Sequence, residues 1–233
     1  MIGAQIVVLA KEPVPGRAKT RLCPPYLPAQ AARLAEAALT DTLGAVGRTP
    51  VRRGVLALRG RPGPWLPAGF DVIAQRGDGL DERIAAALAD AHAGLACPLL
   101  LVGMDTPQLT PELLGRAAVA LCSHDAVLGP ARDGGFWLLG MRLPDAGLVR
   151  GVPMSTPYTG RAQLGRLRSA GLRVALLPPL TDVDTPADAV TVAREAPRSA
   201  FATALAALPA VQLAAPVGHE VWAEAGRWSA TVR

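Results

Sequence analysis

Seven short apolar runs, at 5–10, 54–58, 70–74, 98–102, 126–128, 136–140 and 173–177, alternate with longer stretches whose apolar residues recur at helical spacing. No other feature restricts the fold as much. The helical stretches are "PAQAARLAEAALTDTLGAV" (28–46), "DGLDERIAAALADAHAGL" (78–95), "TPELLGRAAVALC" (110–122) and "GRAQLGRLRSAG" (160–171). Thr110 before Pro111 predicts a capped start for the third. A strand, a helix and a second strand close as a parallel crossover. The expected class is therefore α/β, a single-domain doubly wound sheet, mixed and mostly parallel. In such sheets ligands sit beyond the carboxyl ends of the strands, so the segments that follow strands are where chemistry belongs.

At 233 residues the chain can bury one good-sized core without a second domain. The alternation lasts through "DVDTPADAVTVARE", giving a domain over 1–195. Residues 196–233 are Ala-rich and Pro-broken and read as a C-terminal appendage. In it Ser199 is expected to cap a short helix to about Leu208, and Trp222 and Trp228 to dock on the main domain or on a second subunit, which leaves a homodimer open.

Composition narrows the function. Half of the residues are hydrophobic and 18% charged, as in a soluble globular protein. The longest apolar stretches fall far short of the roughly 20 residues that span a bilayer. No secretory pattern opens the chain, so a cytoplasmic protein without membrane partners is expected. Three cysteines, Cys23, Cys97 and Cys122, form no C-x-x-C pair and argue against a disulfide framework or a zinc site. The net charge of +5 and pI near 9.7 suit anionic partners. Nucleic acid is not expected among them, because the arginines are spread along the chain and aromatics make up only 4%.

Of the 24 basic residues only Lys11 and Lys19 are lysine, and both lie in the Pro/Gly loop after the first strand. That loop sits where α/β folds present N–H groups and cations to phosphate. Pro13, Pro15 and Gly16 restrict its path while Lys11, Arg17, Lys19 and Arg21 supply four cations, a combination suited to a polyphosphate. It is neither a Walker A loop nor G-x-G-x-x-G, and the alternative is a solvated basic loop.

Three further segments follow strands. After 98–102 come Gly103, Asp105 and Pro107, where the carboxylate either holds a divalent metal against phosphate or caps a turn. Asp133-Gly134-Gly135 predicts a tight hairpin turn, and its glycines also allow close approach to the backbone. Asp182 and Asp184, two apart in an extended segment, face one side and could share a metal; alternatively Asp184 is the N-cap of the helix opened by Thr185-Pro186, with Asp188 in its first turn. At a fourth junction lie Gln75, Asp78, Asp81 and Arg83, with capping expected of Asp78. His92, His124 and His219 share no ligand spacing, and no Ser-containing turn supports a hydrolase triad.

Taken in order, K-x-P-x-P-G-x-x-K-T-R-L from Lys11, Q-x-G-D-G-L-x-x-R from Gln75, G-x-D-x-P-x-L from Gly103, G-P-x-x-D-G-G from Gly129 and D-V-D-T-P-x-D from Asp182 resemble a small bacterial transferase family. This is the family labelled arsenosugar-biosynthesis-type glycosyltransferases, itself similar to the 2-phospholactate guanylyltransferases. The resemblance spans residues 3–195 and not the tail. It implies the nucleotide-diphospho-sugar transferase fold, GT-A. It further implies that Lys11, Pro15, Gly16, Lys19, Arg21, Gln75 and Gly103 meet the nucleotide and that Asp105, Asp182 and Asp184 hold Mg²⁺ or Mn²⁺. Asp133, Gly134, Gly135, Phe136, Ser155 and Thr156 would line the acceptor side. The chain departs from the family at Phe136, where Tyr is usual, and at Met154, where Trp is usual.

A nucleotidyltransferase must neutralise a triphosphate and the departing pyrophosphate, whereas a sugar transferase handles a diphosphate. Four cations in one loop, and a single acid at Gly103-Met104-Asp105 in place of Asp-x-Asp, favour nucleotidyl transfer to a small acceptor, with Lys19, Arg21 and Asp105 carrying the chemistry. The alternatives are a glycosyltransferase with a nucleotide-diphospho-sugar donor and a non-catalytic nucleotide-binding protein.

Overall fold

All seven apolar runs are strands, and in the computed structural model, which describes residues 2–209, they form one sheet. They are β1 (Ile2–Lys11), β2 (Val51–Arg59), β3 (Phe70–Ala74), β4 (Leu99–Gly103), β5 (Ala126–Pro130), β6 (Phe136–Met141) and β7 (Val174–Leu176). The first two run longer than their apolar centres because the ladder carries on through charged ends, as far as Lys11 opposite Arg59. Between and after them lie α1 (Pro28–Arg48), α2 (Leu80–Gly94), α3 (Pro111–Ala120), α4 (Thr159–Ser169), α5 (Pro186–Glu195) and α6 (Ala200–Ala206).

The strand order is β3-β2-β1-β4-β6-β5-β7. Every pairing is parallel except those of β6, which is antiparallel to both β4 and β5. Local chemistry explains the exception: the Asp133-Gly134-Gly135 turn is too short for a crossover, so β6 must return beside β5. The expected mixed, mostly parallel sheet is thus present, and one reversed strand makes it mixed.

Alternation along β1 builds the two faces. Ala4, Ile6, Val8 and Ala10 enter a cluster with Leu39 and Leu43 of α1 and Leu114 of α3. Val7 points the other way, to Ile84 and Leu88 of α2 and Leu167 of α4. Gln5 shares that second face although fully buried, and donates to the carbonyls of Ala91 (3.2 Å) and Leu95 (2.7 Å), a second bond for each beside those from Leu95 N and Cys97 N at the end of α2. A third cluster joins the outer side of α1 to α5 and α6 through Leu34, Val192 and Phe201.

One link breaks the pattern: β2 and β3 are parallel neighbours joined without a helix. Pro62, Pro64 and Pro67 deny residues 60–69 a helical ladder, and Trp65 and Leu66 fold back onto the first cluster in place of a helix. At the chain's far end Ser199 caps α6 by accepting from Ala202 N at 2.9 Å, and Phe201 is fully buried, so residues 199–208 pack on the body of the protein. Trp222 and Trp228 lie outside the described residues. Among the described residues no helix is long and apolar enough to cross a membrane.

Candidate functional site

Strand β1 delivers Lys11 to the carboxyl edge of the sheet, and its neighbour β4 delivers Asp105 two residues past Gly103. The two exits are tied together, since Lys11 N lies 3.3 Å from Met104 Sδ. From Lys11 the loop runs outward through exposed Pro15, Gly16 and Arg17, then turns in. Lys19 has a left-handed backbone, φ 50 and ψ 42, unusual for a residue with a side chain, and opens a single 3-10 turn at Thr20–Leu22. Leu22, fully buried in the third cluster, anchors the return.

That reversal buries the Lys19 side chain, 6% exposed, among acids. Its Nζ stands 2.9 Å from Asp105 Oδ2 and 3.2 Å from Asp184 Oδ1, and it donates to the Val183 carbonyl. Burial by itself would lower the ammonium's pKa, but the Asp105 and Asp184 carboxylates outweigh it and the net displacement is upward. Arg21 reaches the same cluster from outside, with Nη1 3.2 Å from Asp184 Oδ2 and its own side chain 70% exposed.

The acids are held from both sides. Val183 N donates to the Asp105 carbonyl at 3.0 Å, fixing the strand-end segment of β4 against the segment before α5. Thr185, and not Asp184, is the N-cap of α5: its hydroxyl accepts from Asp188 N at 3.2 Å while Asp188 Oδ2 accepts from Thr185 N at 2.7 Å. With the cap taken by its neighbour, the Asp184 carboxylate is available to Lys19 and Arg21. Asp105 likewise caps nothing, because Thr110 caps α3 by accepting from Leu113 N.

Bonding capacity is left over. One buried lysine and one exposed arginine face three carboxylates, and among the described residues Asp105 Oδ1 and Asp182 Oδ1 have no hydrogen-bond partner. Burial, then the nearby charges of Asp105 and Asp133, push the Asp182 carboxyl well above the usual carboxylate range. Two buried hydroxyls beside these acids, Thr106 and Thr181, are also unpartnered. Nothing in the spacing of Thr106 or Thr181 marks them, and the Val183 carbonyl leaves no trace in the sequence at all. Asp105, Asp182 and Asp184 offer hard oxygen donors, two of them with an unpartnered oxygen, but the acids are gathered around Lys19 and not around one another: among the described residues no group of three or more acids, histidines or cysteines stands close enough to hold a metal ion.

The remaining predicted residues divide. Gln75 spends its amide on the carbonyls of Ala10 (2.6 Å) and Ala57 (2.8 Å), stitching the ends of β1 and β2. Asp78 does not cap α2, whose N-cap is Gly79; instead Glu82 reaches back to Asp78 N at 2.8 Å. The hairpin turn forms as expected, with Asp133 Oδ1 accepting from Gly135 N at 2.8 Å. Gly134, φ 93, is pressed against the next loop, where a Cβ would overlap the Pro157 carbonyl, and its own carbonyl accepts from Gly160 N at 2.8 Å. Its missing side chain therefore makes room for residues 153–159 and not for open ligand space. That loop is closed by Thr159, whose hydroxyl donates to the Pro153 carbonyl at 2.8 Å and accepts from Thr156 N at 3.1 Å. It leaves Ser155 exposed with a left-handed backbone. Phe136 and Met154, the two departures from the family pattern, both pack on the second cluster. A separate open cleft of about 440 Å³ lies between α1, residues 107–110 and residues 195–199, and none of the predicted site residues lines it.

Comparison with known proteins identifies the family and the fold. Residues 28–156, which include Asp105 and the 133–136 turn, match a family described as uncharacterized protein conserved in bacteria (DUF2064). The chain is 37% identical over 193 residues, 76% of this chain and 84% of the relative, to the 3-phospho-D-glycerate guanylyltransferase of Phenylobacterium zucineum (strain HLK1). It is similar to a crystal structure from Desulfovibrio desulfuricans G20 classed with the nucleotide-diphospho-sugar transferases, with TM-score 0.80 and 27% identity over 88% of this chain and 95% of that one. A Mycobacterium tuberculosis H37Rv protein solved with manganese shares the fold at TM-score 0.52 and 20% identity, covering 81% and 97%.

Proposed function

As this chain belongs to the DUF2064 family, we propose that it is a nucleotidyltransferase, moving a nucleoside monophosphate from a nucleoside triphosphate to a small phosphorylated or hydroxyl-bearing acceptor and releasing pyrophosphate. The observation that carries the reading is the charge sequence Arg21–Asp184–Lys19–Asp105 at the joined ends of β1 and β4, with further cations on the exposed loop before it. The guanylyltransferase relative supports it, and makes GTP the first donor to try and 3-phospho-D-glycerate the first acceptor.

In this reading Lys11, Arg17 and Arg21 take the triphosphate through charge-assisted hydrogen bonds, and Asp105, Asp182 and Asp184 hold Mg²⁺ or Mn²⁺. A divalent cation bound there supplies Lewis-acid polarisation of the phosphate oxygens. An acceptor oxygen, placed by the 133–136 turn and by Ser155 and Thr156, attacks the α-phosphorus in line. The bond from that phosphorus to the oxygen bridging to the β-phosphate breaks as the new one forms, and pyrophosphate leaves with that oxygen. Arg21, exposed and already directed at the acids, balances the charge that builds on the leaving group. An acceptor that is already a phosphate needs no base. The three cysteines stand free, which supports a reducing compartment such as the cytoplasm.

The alternative of glycosyl transfer draws on the Desulfovibrio desulfuricans structure. One assay separates the two: pyrophosphate release from each nucleoside triphosphate with Mg²⁺ and a panel of phosphorylated hydroxy acids, run beside nucleoside diphosphate release from nucleotide-diphospho-sugars. Acceptor-dependent pyrophosphate release is expected. Diphosphate release from a nucleotide-sugar, with no pyrophosphate from any triphosphate, overturns the proposal.

A further inference from the structure

We propose that the Lys19 ammonium is a resident counter-ion for the acid site, standing where the divalent cation has to go, so that metal and nucleotide enter together by displacing it. The inference rests on the reading above only in taking the acids as the metal's ligands.

Three observations meet here. First, Lys19 Nζ is bonded to Asp105 Oδ2, Asp184 Oδ1 and the Val183 carbonyl, so the three donors of an ammonium are all spent within the acid cluster and none is left for phosphate. A cation placed on those carboxylates competes for the same oxygens. Second, the bonding leaves room for more charge: Lys19 and the exposed Arg21 together engage Asp105 Oδ2 and both Asp184 oxygens, Asp105 Oδ1 and Asp182 Oδ1 remain without a partner among the described residues, and a dication in place of the ammonium could engage them. Third, the residue type fits the task. A chain with 22 arginines keeps a lysine at this position, and a lysine presents a compact point charge on a flexible stem, whereas a planar guanidinium cannot occupy a cation-sized gap or swing out of it as freely. The left-handed turn at Lys19 places the pivot of that stem at the inner end of the phosphate-facing loop, so the expelled ammonium has anionic oxygens to meet when a triphosphate is present.

The consequence is coupling. Metal alone must displace Lys19 into water, while metal with a triphosphate gives it a new partner, so each ligand should strengthen the other's binding reciprocally. The test needs no turnover. Mn²⁺ binding is measured by electron paramagnetic resonance on the intact protein, without nucleotide and then with guanosine 5′-[α,β-methylene]triphosphate. Wild type should bind Mn²⁺ alone weakly and gain at least tenfold with the analogue. In Lys19→Met, Mn²⁺ alone should bind at least tenfold more tightly than in wild type, and the gain from the analogue should shrink. Unchanged or weaker Mn²⁺ binding in a folded Lys19→Met protein, or no binding at all, overturns the proposal by showing that the lysine only holds the acids in place. Should that variant fail to fold, the wild type decides. With two lysines in the chain, ¹³C-lysine labelling gives two side-chain signals, and the Lys19 signal must move when Mg²⁺ and the analogue are added. A Lys19 signal that stays at its starting position at saturation overturns the proposal as well. Failure here leaves the pyrophosphate assay untouched, since that assay asks about the reaction and not about the lysine.

Discussion

Two carboxylate sites, one of a single acid and one of three, sit at opposite ends of the sheet and are built on opposite principles. At the amino edge Asp125, just before β5, is held by Arg142 after β6 and by the backbone N–H of Arg173 before β7 (3.0 Å), so one acid joins three strands and both its oxygens are bonded. At the carboxyl edge Asp105 and Asp184 share one buried lysine with Asp182 near them, and among the described residues two of the acid oxygens have no partner. The Arg173 N–H, and after it the Arg142 and Arg173 side chains, draw the Asp125 carboxyl below its usual range, whereas burial and like charge push Asp182 above it. The first arrangement is complete as it stands and serves the sheet. The second leaves bonding capacity unused, which is what the proposed metal and nucleotide would take up.

The comparison can be broken, starting from its largest expected effect. Asp105→Asn keeps the side chain's volume and removes its charge, and should lower pyrophosphate-release kcat by at least about a hundredfold, a metal ligand mattering no less than the groups that orient one. Its Tm should fall somewhat, because buried Lys19 loses one of its two acid partners, but the protein should stay folded; an active variant with a lowered Tm would make Asp105 a structural acid like Asp125. Arg21→Ala should cost about ten- to a hundredfold in kcat/KM, the worth of one charge-assisted hydrogen bond, with stability nearly unchanged because its pair with Asp184 is exposed. A Tm loss without a kinetic effect would move Arg21 to the structural class.

The two ends should also answer pH in opposite senses. Asp182 has a raised pKa in the fold, so it favours folding while protonated, and that contribution fades as pH rises from about 4 through the raised value. In EDTA, wild type should lose Tm over that rise relative to Asp182→Asn, and parallel curves would remove the burial argument. Asp125 has a lowered pKa, so its contribution is present above about 4 and is lost as pH falls through the depressed value. The Tm gap between wild type and Asp125→Asn should therefore close in acid, with turnover equal in both at neutral pH, the smallest effect of the set. Reduced turnover in that variant would mean that the amino edge also communicates with the site.

Much of this layout was legible in the sequence, and the reason is local. Each strand announces itself as an apolar run, and the turn at Asp133-Gly134-Gly135 fixes the reversed strand. The capping box at Thr185 and Asp188 could also have been read from the spacing, which would have freed Asp184 from that role in advance. The contacts of Lys19 could not. Its partners lie 86 and 165 residues away, and its inward direction depends on one left-handed backbone that L-residues rarely adopt. Sequence alone placed the lysine at the right edge but aimed it outward, at phosphate. Gly134 was likewise readable as a turn residue, while its contact with Pro157 exists only once α4 has packed.

The single reversed strand has a consequence for how such a protein could diversify. Because β6 doubles back at once, residues 131–135 form a short flap closed by Ala131 N to the Gly135 carbonyl, Gly134 N to the Ala131 carbonyl and Gly135 N to Asp133. The flap is tied outward by Arg132 N to the Leu180 carbonyl and by Gly160 N to the Gly134 carbonyl, while the neighbouring 153–159 loop is knotted by its own threonines. Both lie beside the charged residues that β1, β4 and the 182–184 segment bring together, and the 131–135 flap is bonded to that side through Leu180. If these segments meet the acceptor, as proposed, exchanging them as a pair that keeps the Gly134–Gly160 bond is the change that would re-address the reaction with least disturbance to the charged cluster.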